Sequence, residues 1–212
     1  WDSLKKHTAA LSAFLRNNGL GTGEGVVGFL PCIPEASVAL LATASLGCVW
    51  SSCSPDFGTQ AIIDRFAQIE PRVLIATTHY RYNGKTHDKT EVIRTLAAAL
   101  PTLKAVILVG GDNAADIGGV PVHSWTSVMR NETAQLTFDR VPFSHPLWVL
   151  YSSGTTGLPK AITHSHGGIL LEQLKYAAFH NDFRSGERCF WYTTTGWMMW
   201  NYIHGSLLCG ST

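Results

Sequence analysis

The sequence has 212 residues, of which 45% are hydrophobic and only 15% are charged, against about 25% charged in an average soluble domain. Seven Trp, nine Phe and six Tyr can fill a substantial core, so the composition excludes a disordered chain. Sixteen Lys and Arg nearly balance fifteen Asp and Glu, and the net charge of +1 excludes the strongly basic character of proteins that bind nucleic acid or anionic membranes.

Helical and strand patterns alternate along the first half of the sequence. Apolar residues at helical spacing predict helices over residues 4–16, 35–46, 60–69 and 91–100. Short apolar runs bounded by turn-forming residues predict buried strands over residues 26–30, 48–51, 73–77 and 105–109. Strands and helices that alternate in this way form parallel sheets covered on both faces. We therefore predict an α/β fold, with a layered parallel sheet and flanking helices.

The second half begins with a looser segment, residues 111–146, in which we predict only a short helix over residues 125–130. We interpret this segment as a connection with a possible subdomain change. After it we predict a strand over residues 147–151, a loop over 152–160 and a helix over 167–179.

The five cysteines are an odd number and include no Cys-x-x-Cys pair. Neither a disulfide framework nor a zinc knuckle fits this spacing. We predict buried thiols in a reducing compartment, and therefore a cytoplasmic protein.

The predicted strand over residues 147–151 leads directly into a loop rich in Ser, Gly and Thr. From Trp148 to Lys160 the sequence reads WVLYSSGTTGLPK. Glycines let the backbone bend so that successive N–H groups converge on an anion, hydroxyls add donors, and Lys160 adds a mobile positive charge. We predict that the phosphates of a nucleotide bind to Ser152, Ser153, Gly154, Thr155, Thr156, Gly157 and Lys160.

A run of Ser, Gly and Thr alone is more typical of a flexible surface loop. The strand before this run and the Pro-Lys pair after it favour phosphate binding instead. The segment is not a Walker loop, because Lys160 follows Pro159 rather than Gly. Moreover, Ala161 stands where Ser or Thr would hold magnesium.

Four segments carry a resemblance to a known superfamily. Residues 152–160 resemble the phosphate-loop signature of the adenylate-forming acyl-CoA synthetases. Ala161-Ile-Thr-His164 followed by Gly167-Gly-Ile is similar to the acetyl-CoA synthetase branch. Residues 50–58 (WSSCSPDFG) and 193–201 (TTTGWMMWN) resemble the acetoacetyl-CoA synthetase subfamily. The resemblance covers almost the whole chain and is weakest between residues 111 and 140.

This resemblance implies a two-step reaction. ATP and a carboxylate give an acyl-adenylate and pyrophosphate, and the thiol of coenzyme A then displaces AMP to give a thioester. It implies ATP with Mg²⁺ and coenzyme A as small-molecule partners, with no nucleic acid, membrane or protein partner inferred. Lys160 would stabilise charge on the phosphates.

The resemblance also implies that residues 1–212 are a fragment of an AMP-binding (adenylation) domain, without the C-terminal lid domain. The sequence begins inside a helical pattern and ends after an uncharged run over residues 191–212, which is the expectation for a fragment. In the superfamily the main catalytic lysine and the magnesium-associated glutamate lie further along the chain. We therefore expect no metal site within these residues, and an inactive fragment.

The resemblance implies an acyl pocket at Trp197, Met198, Met199, Trp200 and Asn201. Bulky Trp197 would limit the length of the acyl chain, and the two Met side chains would shape an adaptable cavity. Without the resemblance, a cluster of Trp and Met is more typical of plain core.

Tyr82 and Lys85 correspond to a place where acetyl-CoA synthetases carry arginines near the phosphate of coenzyme A. The match is partial, although Lys85 would still supply a point charge. A solvated loop is the alternative interpretation.

Two further patterns, one of glycines and one of histidines, do not meet the requirements of the binding sites that they usually indicate. Residues 23–28 fit the Gly-x-Gly-x-x-Gly pattern but precede a predicted strand, whereas dinucleotide-binding loops follow one. His164 and His166 have no Cys or carboxylate cluster near them in the sequence that would complete a metal site. We interpret His164 as a packed residue below the loop.

The sequence is also compatible with two alternative functions. An acetyl- or propionyl-CoA synthetase differs only in the acyl group. A non-catalytic nucleotide-binding or assembly module would keep the loop without the reaction.

Overall fold

The computed structural model describes residues 1–111, 117–131, 133–152 and 157–212. In the described residues the strands are β1 (Gly25–Phe29), β2 (Val49–Cys53), β3 (Val73–Thr77), β4 (His79–Tyr82), β5 (Lys85–Asp88), β6 (Ala105–Val109), β7 (Val122–Ser124), β8 (Pro146–Ser152) and β9 (Lys160–Ser165). The α-helices there are α1 (Asp2–Asn17), α2 (Pro34–Ser45), α3 (Thr59–Phe66), α4 (Thr90–Ala99), α5 (Trp125–Met129), α6 (His166–Lys175) and α7 (Met198–Ile203). Shorter helical segments are a 3₁₀ turn at Ala67–Ile69, a π-helix at Tyr176–His180 and a 3₁₀ helix at His204–Cys209.

One sheet organises the described residues. Its seven strands have the order β7-β6-β3-β1-β2-β8-β9 in that part of the chain. Every neighbouring pair from β7 to β8 is parallel, which confirms the predicted α/β fold with a parallel sheet. The exception is β9, which pairs antiparallel with β8 as a hairpin at the sheet edge. The sheet is therefore mixed rather than wholly parallel.

Helices cover both faces of the central strands, as predicted. Successive strand residues point to opposite faces: Val26 belongs to one buried cluster and Val27 to the other. The first cluster includes Leu11 and Leu15 of α1 and most of the apolar residues of α2. The second includes Ile62 and Phe66 of α3 together with Ile93 and Leu96 of α4. Each of β1, β2, β3 and β6 is buried along its whole length. This double coverage explains their almost uncharged sequences.

A polar hairpin follows β3 that the sequence analysis did not predict. Strands β4 and β5 form a separate two-stranded antiparallel sheet in which Tyr82 pairs with Lys85. Asn83 and Gly84 make the turn, with φ of 47° and 75°. Two successive positive φ values match the right-handed twist of a hairpin, and Asn-Gly is the sequence that adopts them most readily.

The segment at residues 111–146 connects strands of the same sheet. Within it, β7 adds to the edge beside β6, and β8 after it pairs with β2 on the other side of the centre. The predicted short helix is present as α5, one residue shorter than expected. The possible subdomain change near these residues stays a prediction.

The last part of the described chain is more exposed. Helix α6 begins where the Oγ of Ser165 accepts a hydrogen bond from the N–H of Gly168 at 3.2 Å. The predicted helix over residues 167–179 continues beyond α6 as the π-helix. Large apolar side chains here face outward, including Leu171, Phe179 and Phe190. In the described residues, no helix combines the length and the hydropathy that a membrane crossing needs.

Candidate functional site

The predicted phosphate loop connects the two strands of the β8–β9 hairpin. Ser152 and Lys160 are register partners, so the hairpin ladder holds both ends of the loop side by side. Lys160 is exposed at the first position of β9, and Gly157 has a φ of 118°, a conformation that favours glycine. The predicted phosphate ligands Ser153, Gly154, Thr155 and Thr156 lie outside the described residues. The structure therefore brings together the two ends of the predicted site.

Contacts to α3 and its 3₁₀ extension fix both ends of this loop. On the incoming side, the hydroxyl of Tyr151 donates to the carbonyl of Arg65 at 2.6 Å. On the outgoing side, Nε2 of Gln68 donates to the carbonyl of Pro159 at 3.0 Å. Burial raises the pKa of Tyr151 to about 12, so its hydroxyl keeps its proton and remains a donor well into the alkaline range. The sequence analysis did not predict these two hydrogen bonds, because neither Tyr151 nor Gln68 lies within the loop over residues 152–160.

The positive charges near the loop differ in mobility. The guanidinium of Arg65 lies 5.1 Å from the ring centroid of Phe57 and 5.8 Å from that of Tyr151, and it donates to the carbonyl of Ala61 at 2.6 Å. Arg65 is therefore held by cation–π contacts and a hydrogen bond. Lys160 makes no salt bridge to any described residue. Its ammonium group is therefore a cation that could pair with an anion at this loop.

A cavity of about 840 Å³ lies on the same hairpin. Its walls come from β8 and β9, from α6, from α7 and from the segment before α7. Of the five predicted acyl-pocket residues, Met198, Met199 and Asn201 line it. Trp197 and Trp200 are not among its described lining residues. Trp197 is 57% exposed, whereas Trp200 is buried in the core with its ring 4.3 Å from that of His204.

Helix α7 is attached firmly to the central sheet. Before it, the hydroxyl of Ser52 at the end of β2 donates to the carbonyl of Thr195 at 2.7 Å. After it, the ring of His204 bridges Ser37 of α2 at 2.9 Å and the carbonyl of Trp200 at 2.7 Å. The cavity wall formed by α7 therefore keeps a fixed position relative to the sheet.

His164 is a cavity residue that the sequence analysis interpreted as packing only. Its Nδ1 accepts a hydrogen bond from the indole N–H of Trp148 at 3.2 Å, and its side chain lines the cavity. Burial lowers the pKa of His164, which favours the neutral ring with its remaining proton on Nε2. The ring of the neighbouring His166 lies tilted at 43° beside that of His145, with 5.8 Å between the ring centroids. Within the described ranges, no three His, Cys, Asp or Glu side chains come together as a metal site.

The predicted coenzyme A residues lie on the β4–β5 hairpin. Tyr82 and Lys85 are register partners beside the turn, and Tyr82 is 64% exposed. Lys89 follows β5, and its ammonium lies 5.3 Å from the ring centroid of Tyr80 in β4, so a positive charge lies against an aromatic ring of the hairpin. Strands β3 and β8 run in the same direction, because parallel pairs connect them through β1 and β2. The hairpin after β3 and the loop after β8 therefore both lie at the end of the sheet where the parallel strands have their carboxyl ends.

The AMP-binding enzyme family model matches residues 1–212, the whole chain. The chain belongs to the AMP-binding enzyme family. This family assignment agrees with a Ser/Gly/Thr loop that follows a strand of a parallel sheet.

The chain is similar to several relatives along its full length. It is 44% identical over 216 residues to the acetoacetyl-coenzyme A synthetase of Rhizobium meliloti (strain 1021), covering 100% of this chain and 33% of that protein. It is 40% identical over 220 residues to the acetoacetyl-CoA synthetase of Gallus gallus, covering 100% of this chain and 33% of that protein. Among solved structures, the acetoacetyl-CoA synthetase from Streptomyces lividans matches with a TM-score of 0.95 at 50% identity, covering 100% of this chain and 32% of that one.

The chain thus spans about a third of the length of the AMP-binding enzymes that it matches. The similarity supports the α/β fold described above.

Proposed function

We propose that the chain is part of an acetoacetate–CoA ligase, an acid–thiol ligase that acts through an acyl-adenylate. In the first step the carboxylate oxygen of acetoacetate attacks the α-phosphorus of ATP, and pyrophosphate leaves. In the second step the sulfur of coenzyme A attacks the acyl carbon, its proton is lost, and AMP leaves. The products are acetoacetyl-CoA, AMP and pyrophosphate.

One observation carries the proposal: the phosphate loop and the cavity share the β8–β9 hairpin. Ser152 and Lys160 close the loop at one end of the hairpin, whereas Leu150 and His164 line the cavity on the same two strands. A carboxylate must reach the α-phosphorus for the first step. Holding both groups on one rigid hairpin would supply much of the required positioning.

The phosphate loop would stabilise charge as it moves among the phosphates. Lys160 supplies a mobile cation, and Ser152 and Gly157 border the segment whose N–H and hydroxyl groups we predict as donors. ATP would bring Mg²⁺ with it, since that ion is usually held by phosphate oxygens and only one or two carboxylates. Coenzyme A would meet Lys85 and Tyr82 on the β4–β5 hairpin at the same end of the sheet.

Two observations support acetoacetate as the acid that supplies the acyl group. The relatives from Rhizobium meliloti and Gallus gallus and the Streptomyces lividans structure are named for acetoacetyl-CoA synthesis. The cavity also presents two adaptable Met side chains, which suit a longer acid than acetate. We further propose that residues 1–212 belong to the adenylation domain of a cytoplasmic enzyme with a separate lid domain.

A substrate panel tests the proposal on the full-length enzyme. Acid-dependent exchange of labelled pyrophosphate into ATP should be fastest with acetoacetate, and thioester should form only when coenzyme A is added. A clear preference for acetate or propionate would replace acetoacetate and leave the acyl-CoA ligase assignment intact. No exchange with any short acid would contradict the ligase assignment and favour a non-catalytic nucleotide-binding module.

A further inference from the structure

Gln68 connects α3 to the outgoing end of the phosphate loop. It lies in the 3₁₀ turn Ala67–Ile69, directly after α3, and its side chain is exposed. Its Nε2 donates to the carbonyl of Pro159 at 3.0 Å and also to the carbonyl of Asp64, one helical turn earlier, at 2.7 Å. The hydrogen bond to Pro159 therefore comes from an amide whose orientation is set by its own helix.

Helix α3 is a rigid base for this connection. Ile62 and Phe66 of α3 are both 0% exposed and belong to the buried cluster that covers one face of the sheet. Because α3 is packed in the core, the backbone of Gln68 keeps a fixed position relative to the sheet. A group carried by a packed helix positions its partner more precisely than a group carried by a loop.

The carbonyl of Pro159 belongs to the same peptide group as the N–H of Lys160. The proline ring fixes φ of Pro159 at about −65°, and a hydrogen bond to the carbonyl restrains ψ, the other soft dihedral of that residue. Together with the register pairing of Ser152 with Lys160, these restraints determine where the Lys160 side chain begins. Since that side chain is long and has many rotamers, the backbone position decides which region its ammonium can reach.

Tyr151 anchors the incoming side of the loop and does not duplicate this contact. Its hydroxyl donates to the carbonyl of Arg65, but Tyr151 precedes Ser152 and so restrains the other strand of the hairpin. Gln68 is bonded to the peptide group that carries the N–H of Lys160. The restraint on the cation is therefore assigned to Gln68.

We propose that Gln68 is a positioning residue, which holds the Pro159 carbonyl so that Lys160 meets the phosphates of ATP in the orientation that adenylate formation requires. The inference rests on the proposed function, and it adds a residue outside the loop that acts through Lys160. Gln68 itself touches no reacting atom. Without its hydrogen bond the cation would occupy the required position for a smaller fraction of the time. The first step would then slow without a change in the fit of the acid.

Exchange of labelled pyrophosphate into ATP by the full-length enzyme, with its preferred acid, measures the effect. Gln68→Met keeps a side chain of similar length and removes the donor. It should lower kcat by about 3- to 10-fold, which corresponds to one hydrogen bond, and leave KM for the acid within about twofold. Gln60→Met is the matched control and should change neither value, because Gln60 is an exposed glutamine of α3 whose Nε2 donates to Oδ1 of Asp64 at 2.7 Å.

A double-mutant cycle with Lys160→Ala separates positioning from a structural role. If Gln68 acts through Lys160, Gln68→Met should change kcat by less than about twofold once residue 160 is alanine, because no cation is left to position. A loss of folded enzyme would instead lower kcat by the same factor in both backgrounds. Because Gln68 is exposed, Gln68→Met should also leave the melting temperature of the full-length enzyme unchanged.

The outcomes for the inference and for the proposed function differ. A kcat of Gln68→Met within about twofold of wild type would contradict the inference. Equal losses with and without the Lys160 side chain would assign Gln68 to folding and would also contradict it. The ligase assignment would stand in both cases. If wild type exchanges pyrophosphate with no short acid, the proposed function is wrong, and the inference is wrong with it.

Discussion

The central strands and the β8–β9 region are built in opposite ways. Strands β1, β2, β3 and β6 are buried from end to end between two layers of helices. Strand β9 is mostly exposed, and Gly167 is the buried residue of α6 in the described chain. The candidate phosphate loop and most of the cavity wall belong to the second region. Stability and chemistry are therefore largely separated, and substitutions in the two regions should have different effects.

The largest expected effect is on folding, and a pair of phenylalanines tests it. Phe29 in β1 is 0% exposed, whereas Phe179 in the π-helix is 82% exposed. In the 212-residue chain, Phe29→Ala should lower the free energy of unfolding by about 3–5 kcal/mol, because it leaves a cavity in the core. Phe179→Ala should change it by less than about 0.5 kcal/mol. Chemical denaturation measures both values, and equal losses would contradict the separation of the two regions.

The next effect is on catalysis alone. In the full-length enzyme, Lys160→Ala should slow adenylate formation on the order of a hundredfold, because it removes a cation from the phosphate loop. Lys160 is exposed at a strand end, so the melting temperature should not change. Lys5→Ala, at an exposed position of α1, is the matched control and should affect neither quantity. Unchanged pyrophosphate exchange in Lys160→Ala would remove Lys160 from the site.

A smaller effect is expected on substrate choice. Met199→Trp should fill part of the cavity and shift preference from acetoacetate toward acetate by about 10- to 200-fold, mainly through loss of the longer acid. Leu171→Trp adds the same ring on the exposed face of α6 and should leave the preference unchanged. The measurement is kcat/KM for both acids. An equal loss for acetate and acetoacetate would mean that Met199 is part of the core and not of an acyl pocket.

The last expected effect, which is the smallest when taken per pH unit, concerns alkaline pH and the central strands. Burial raises the pKa of Cys53 in β2 to about 12, from 9.0 for an unperturbed thiol. Below pH 9.0 both the folded and the unfolded chain keep this proton, so stability does not depend on it. Between pH 9.0 and about 12 only the unfolded chain loses the proton. The free energy of unfolding therefore falls as pH rises, by roughly 1.4 kcal/mol per pH unit for this group.

Cys53→Ala should make the alkaline loss of stability less steep by about that slope. Phe179→Ala, at an exposed residue without a titratable group, provides the control and should leave the slope unchanged. Denaturation midpoints across the alkaline range measure both. If Cys53→Ala and wild type lose stability in parallel, the Cys53 thiol is not the source.

The central strands were predictable because double burial has a clear sequence signal. Uninterrupted apolar runs predicted β1, β3 and β6 to within a residue of their observed bounds. The β4–β5 hairpin lacks that signal, since its residues are mostly exposed on both faces. Its one clue was Asn83-Gly84, the dipeptide typical of such turns. Strand β9 was missed for the same reason, and so was the antiparallel direction of its pairing.

For the candidate site the sequence predicted a chemistry, and it predicted only part of the observed geometry. The Ser/Gly/Thr run, the strand before it and the Pro-Lys pair after it indicated phosphate binding, which stays a prediction. The cavity depends on how β8, β9, α6 and α7 meet, which no local pattern encodes. Two consecutive residues of α7 have different environments: Met199 lines the cavity, whereas Trp200 is buried in the core. The sequence alone did not distinguish them.

The register pairing of Ser152 with Lys160 also affects how this protein can change through evolution. The ends of the loop are brought together by the strand ladder, so the loop residues need not supply the free energy of closure themselves. For a flexible connection, doubling its length costs only about 0.6 kcal/mol. Insertions and substitutions between β8 and β9 should therefore impair folding much less than they impair the proposed reaction. If the proposed phosphate site is correct, selection on this segment should accordingly act through nucleotide binding rather than through folding.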